Sequence, residues 1–141
     1  GSLEIRDRRP GPGQPSIYTL QRDQKTRALE GEYAPISLLP GVTPSHFIMV
    51  VAGISTIGTQ AAAEFETSKD CMRAIASFLG NPSANSDIPL YFQVLLHVQI
   101  RDGEDAKTSC VFVRKLAFKP QTAPSVRQDA SANSAGSAPH P

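Results

Sequence analysis

The stretch 47–65, Phe-Ile-Met-Val-Val-Ala-Gly-Ile-Ser-Thr-Ile-Gly-Thr-Gln-Ala-Ala-Ala-Glu-Phe, constrains this chain more than any other. Its apolar start has no polar alternation, so it reads as a strand covered on both faces. Glycine and hydroxyl residues follow, and then an alanine-rich helical pattern. A covered strand that feeds a helix through a tight turn is a unit of layered α/β folds, where ligands often sit at the strand's carboxyl end.

The rest of the sequence extends this unit in both directions. Upstream, Leu3-Glu4-Ile5 and the segment 17–20 are strand-like and separated by a Pro/Gly stretch from Pro10 to Pro15, which fits a broad hairpin or an edge loop. The polar residues 21–32 read as a surface loop. The segment 33–39 reads as a strand, and Pro35 within it argues for an edge position or for the strand's start. A turn that begins at Pro40-Gly41 leads into the strand 47–52.

Downstream, two helices are expected. In the first, Gly58, Ala61, Ala62 and Phe65 share one face, and their small side chains allow close approach to a sheet. In the second, Ser68 is the N-cap, Met72, Ile75, Ala76 and Leu79 keep helical spacing, and Gly80 with Asn81-Pro82 ends the pattern. Residues 91–101 alternate cleanly: Phe92, Val94, Leu96, Val98 and Ile100 on one face, Tyr91, Gln93, Leu95, His97, Gln99 and Arg101 on the other. After an acidic turn, Asp102-Gly103-Glu104-Asp105, the segment 109–118 returns as a strand.

The expected fold is therefore α/β. It is a mixed sheet of about five to six strands with a helical crossover between strands 47–52 and 91–101 and a C-terminal β-hairpin. Gly1-Ser2 reads as a cloning scar, residues 3–118 as a single domain that is a fragment of a larger protein, and 119–141 as a disordered tail of Pro, Ser, Ala and Gln.

Bulk properties exclude several functions. A formal net charge of +1, with 19% charged residues, gives no electrostatic footprint for nucleic acid or an anionic membrane. The basic cluster Arg6, Arg8 and Arg9 is interrupted by Asp7. Cys71 and Cys110 are the only cysteines and form no C-x-x-C, so no metal site and no cofactor is expected, and two reduced thiols point to the cytoplasm. No apolar run approaches the ~20 residues that span a bilayer.

The candidate ligand-binding residues are Gly53, Ser55, Thr56, Gly58 and Thr59. Gly53 lets the chain turn sharply after the strand. Ser55 or Thr56 caps the helix and leaves N–H groups free for an anion. Gly58 removes a side chain that would block approach. The spacing matches neither the dinucleotide fingerprint nor the phosphate loop, and no G-x-S-x-G elbow is present. Two readings stay open for the turn: a ligand contact, or only a well-capped helix packed on its strand. No catalytic residue is assigned. A hydrolase-like alternative would use Ser55 or Thr56 as nucleophile and His97 as base, within ~3 Å of each other. His46 lies at the other end of the strand, and His140 in the tail. Glu64 and Glu66 point in different directions on their helix.

Ala52-Gly53-Ile54-Ser55-Thr56-Ile57-Gly58-Thr59-Gln60-Ala61-Ala62-Ala63-Glu64-Phe65, followed by Tyr91-Phe92-Gln93-Val94-Leu95-Leu96, resembles a C-terminal region of uncharacterised bacterial proteins with an AG-x-[ST]-x-x-GT-x-AA-x-EF stretch. Arg9-Pro10-Gly11-Pro12-Gly13-Gln14-Pro15 and Tyr33-Ala34-Pro35-Ile36 are similar to further segments of those proteins. Some of them carry an N-terminal DNA-binding segment. The resemblance implies a sensor or regulatory role, and the leading reading of the chain is a non-enzymatic ligand-sensing or interaction domain of a larger regulatory protein. Its expected partners are a small polar or anionic molecule at the 53–59 turn, or a second copy in a homodimer, and neither nucleic acid nor a membrane. A purely structural or dimerisation module is the remaining alternative.

Overall fold

The computed structural model describes residues 3–43, 45–79, 91–101 and 106–118. In chain order the elements are β1 (Glu4–Arg6), β2 (Ile17–Thr19), β3 (Gln21–Arg22), β4 (Leu29–Pro40), β5 (Phe47–Val51), α1 (Thr56–Glu66), α2 (Lys69–Leu79), β6 (Tyr91–Gln99) and β7 (Lys107–Leu116). The expected scar Gly1-Ser2, the helix stop Gly80 to Pro82, the acidic turn 102–105, the tail 119–141 with His140, and the side chains of Met72 and Leu79 lie outside the described residues.

The long strand β4 is the axis of the main sheet. On one side it pairs with β6 from Gly31↔Gln99 to Leu38↔Phe92, and β7 follows as the outer strand of the expected C-terminal hairpin. On its other side, β3 and β5 share its length: β3 pairs at Leu29 and Gly31, and β5 from Ile36↔Val51 to Pro40↔Phe47. The short pair β1–β2 forms a separate sheet. The fold is mixed α/β, with the helical crossover between β5 and β6 as expected. These two strands run in the same direction, but β4 lies between them, so every described ladder is antiparallel.

Alternation sorts the side chains to two faces. Ala34 and Ile36 of β4 join Phe92, Val94, Leu96 and Val98 of β6 on the face that α1 covers with Ala61 and Ala62, and Phe65 and Ile75 pack against this cluster. Full burial of side chains such as Ile36 and Leu96 stabilises the fold by about 1.5–3 kcal/mol each. Ser55 caps α1 and Ser68 caps α2, its Oγ accepting from Cys71 N at 3.2 Å. Ala76 of α2, expected on the buried face, is exposed, whereas Cys71 is buried. On the opposite face, Leu95, Phe112 and Tyr18 are buried together under the β1–β2 hairpin, with Ile5 and Tyr33 alongside. Leu95 pairs with Phe112 and Leu96 with Cys110, so Val111 is the extra residue of a β-bulge.

Three expectations are corrected. The polar segment 21–32 is not a surface loop throughout: it contains β3 and the start of β4, and Glu32 within it is fully buried. Pro35 does not mark an edge. Its carbonyl accepts from Ala52 N at 3.1 Å, on the β5 side. In an antiparallel strand a residue's N–H and C=O face the same neighbour, so the missing N–H also falls on that side, just beyond the end of the β5 ladder. The apolar run 47–51 is not covered on both faces. β5 pairs only with β4 among the described residues, and Phe47, Ile48, Met49 and Val50 are 53%, 44%, 42% and 41% exposed.

Candidate functional site

The 53–59 turn is built as its residues require, but its anion position is filled from within. Ser55 has extended backbone angles, and its Oγ accepts from Ile57 N at 3.2 Å and Gly58 N at 3.5 Å. The Glu32 carboxylate reaches across from β4 and accepts from Ser55 N at 2.8 Å and from Ser55 Oγ at 2.6 Å. A helix N-terminus favours negative charge because its first N–H groups have no partner within the helix. Here the negative charge belongs to the chain itself.

Both glycines of the turn serve this arrangement. A Cβ on Gly58 would run into the Glu32 carboxylate, and a Cβ on Gly53 would come within 2.6 Å of the Gly58 carbonyl carbon. Thr59 N and Oγ1 both donate to Ser55 O, at 3.1 and 3.0 Å. Thr56 and Thr59 are exposed on the outer side of the turn. Gly53, Ser55, Gly58 and Thr59 thus act together as a capped, close-packed helix start, with Glu32 as the partner missing from the sequence reading. The sequence carries the clue: in 32, 34, 36 and 38 a lone carboxylate sits on an otherwise apolar strand face.

The geometry does not assemble the hydrolase-like alternative. Glu32, bonded to Ser55, pairs across the sheet with Val98, on the helix-covered face. His97 is on the opposite face, its ring tilted against that of Tyr33 with centroids 5.1 Å apart, and its Nε2 3.0 Å from Gln21 Oε1. The sheet separates the histidine from the hydroxyl.

A second place has more open chemistry. Between the β1–β2 hairpin and the sheet lies a cleft of ≈ 290 Å³. Arg114 of β7 ties the hairpin down: its Nη2 and Nη1 both donate to the Asp7 carboxylate, its Nη1 also donates to Arg9 O at 3.2 Å, and its guanidinium lies 4.1 Å from the Phe112 ring centroid. The guanidinium holds the Asp7 carboxyl below the usual carboxylate range. Tyr18, 3% exposed, stacks edge-on against Tyr33 at 4.9 Å, and its hydroxyl has no hydrogen-bond partner. A buried donor left unpaired costs about 1–3 kcal/mol. Burial, and then the nearby Asp7 charge, push the phenol's pKa up, so it stays protonated and can donate.

The third feature is the outer strand β5, where four consecutive large apolar side chains, alternating between the two faces of the sheet, stand exposed. Phe47 at its start lies 6.2 Å from the Tyr91 ring, and Tyr91 lies 5.4 Å from that of Phe118, which extends the apolar surface across the end of the sheet. The sequence reading placed this strand inside and so missed it.

Among the described residues no cluster of three or more His, Cys, Asp or Glu could hold a metal ion, and no helix is long and apolar enough to cross a membrane. No protein-family model matches the chain, and neither a curated protein nor a solved structure matches it.

Proposed function

We propose that this chain is a non-enzymatic interaction domain of a larger regulatory protein in the cytoplasm, and that it pairs with a second copy of itself through β5. The observation that carries the reading is the exposed edge of Phe47–Val51. Edge strands are ordinarily blunted by charge, proline or a bulge. This one has none of the three: its five residues are all apolar, and its register with β4 is regular. An antiparallel edge without charge is complementary to itself about a two-fold axis, which is the symmetry of most homodimers. The aromatic row of Phe47, Tyr91 and Phe118 gives such a contact an apolar flank. Two free thiols, Cys71 and Cys110, accord with a reducing compartment.

Light scattering across a concentration series tests this directly. The wild-type chain should run as a dimer whose population rises with concentration. Val50→Lys should leave circular dichroism unchanged and shift the population to monomer. A wild-type protein that stays monomeric to about millimolar concentration, weaker than a ~4 kcal/mol association, would overturn the reading.

A further inference from the structure

The cleft under the β1–β2 hairpin is separate from β5, and it has features of a binding site that a simple packing gap would lack. Its floor is apolar, with Leu95, Phe112 and Pro35. Its size, ≈ 290 Å³, lies at the lower end of the range that holds small organic molecules. Polar groups are few and convergent: the Gln93 amide, the Tyr18 phenol and a basic rim.

The rim is biased in charge. Arg6, Arg8 and Arg114 line the cleft against a single carboxylate, Asp7. Asp7 is taken by Arg114, and Arg6 is paired with Glu4. Arg8 is exposed at the mouth and forms no ion pair with any described residue. Within, the Tyr18 hydroxyl is the one buried side-chain polar atom among the described residues that lacks a partner. Tyr18 sits on the hairpin itself, in β2, and the hairpin forms its own two-stranded sheet that shares no ladder with the main one. Tyr18 lines the cleft, so a shift of its ring would present that hydroxyl to a ligand oxygen.

We propose that this cleft binds a small organic monocarboxylate with a flat apolar body. The body lies on Leu95 and Phe112, the carboxylate meets Arg8, and one of its oxygens accepts the proton of the Tyr18 hydroxyl. A ligand of this kind supplies what the cleft has in deficit, a negative charge and a hydrogen-bond acceptor, on a body of matching polarity. The site uses no residue of β5, so it stands whether or not the chain dimerises.

Benzoate and phenylacetate are suitable probes, with benzamide as the neutral counterpart, read by thermal shift and by the amide resonances of residues around the cleft. A saturable rise in Tm is expected with the carboxylates, at least fivefold weaker in apparent affinity with benzamide. Tyr18→Phe removes an unpaired hydroxyl, so it should raise the Tm of the free protein and yet abolish the probe-induced rise. Arg8→Ala, at an exposed position, should leave the free Tm unchanged and weaken carboxylate binding at least fivefold. The proposal is overturned by the absence of a shift with either carboxylate at millimolar concentration. Equal binding of benzamide, or full binding to Tyr18→Phe, also overturns it.

Discussion

The Glu32 carboxylate holds Ser55 twice, through the backbone N–H at 2.8 Å and the hydroxyl at 2.6 Å, across 23 residues of sequence. It ties the central strand to the start of the first helix and occupies the position where the turn would otherwise receive an anion. Gly58 is small because the carboxylate stands beside it.

Gly58→Ala should therefore destabilise the protein by about 1–3 kcal/mol, the usual cost of overpacking, although alanine is the better helix former. In a Glu32→Ala background the clash is gone, and the same substitution should become neutral or stabilising by up to about 1 kcal/mol. A double-mutant cycle by urea denaturation measures the difference. Equal costs in both backgrounds would mean that the carboxylate does not set the need for glycine.

The Asp7–Arg114 pair should make the hairpin acid-sensitive. Its side chains are only 11% and 24% exposed, and Arg114 lowers the folded-state pKa of Asp7 below that of the unfolded chain. A depressed carboxyl contributes its full stability above the unfolded value, about 3.9, and loses it as pH falls through the lower folded value. Between pH 6 and pH 3 the wild type should lose more stability than Asp7→Asn, by up to about 1 kcal/mol, because at pH 3 only part of the linked contribution has been lost. Parallel denaturation curves at the two pH values would check this, and identical losses would count against the pair.

The two thiols should differ in reactivity. Burial pushes both up, and the Glu66 charge adds to the effect at Cys71. Cys71 is buried, whereas Cys110 is partly open. Alkylation by iodoacetamide at pH 7.5, followed by mass spectrometry, should label Cys110 slowly and Cys71 only on the timescale of opening or unfolding. Faster labelling at Cys71 would contradict its place between α2 and the sheet.

Local patterns in the chain were good guides to elements and poor guides to neighbours. The alternation of Phe92, Val94, Leu96 and Val98 and the small face of Gly58, Ala61 and Ala62 each depend on a single element's geometry, and both are as expected. Whether a strand lies at the centre or at an edge depends on partners far along the chain. That is why Pro35 misled in one direction and the apolar run 47–51 in the other. The turn was located correctly as a helix start. Its occupant was not, because Glu32 lies in a segment whose polar composition masks the strand alternation. Tyr18 and Arg114 carried no motif; only the folded hairpin brings Arg114 to Asp7 and Tyr18 to Leu95.

The position of β4 also bears on how the chain comes off a ribosome. Ala34 and Ile36 are made early, and β5 can pair with their strand within a few residues. The strand that completes their burial, β6, follows both helices. Until Tyr91–Gln99 has emerged, the nascent chain carries a half-built sheet in which β4 lacks its partner along one edge, from Gly31 to Leu38. Such non-local closure puts folding toward the millisecond-to-second end for small domains. Chaperone demand during synthesis should therefore peak just before β6 appears, and fall once β4 has strands on both sides.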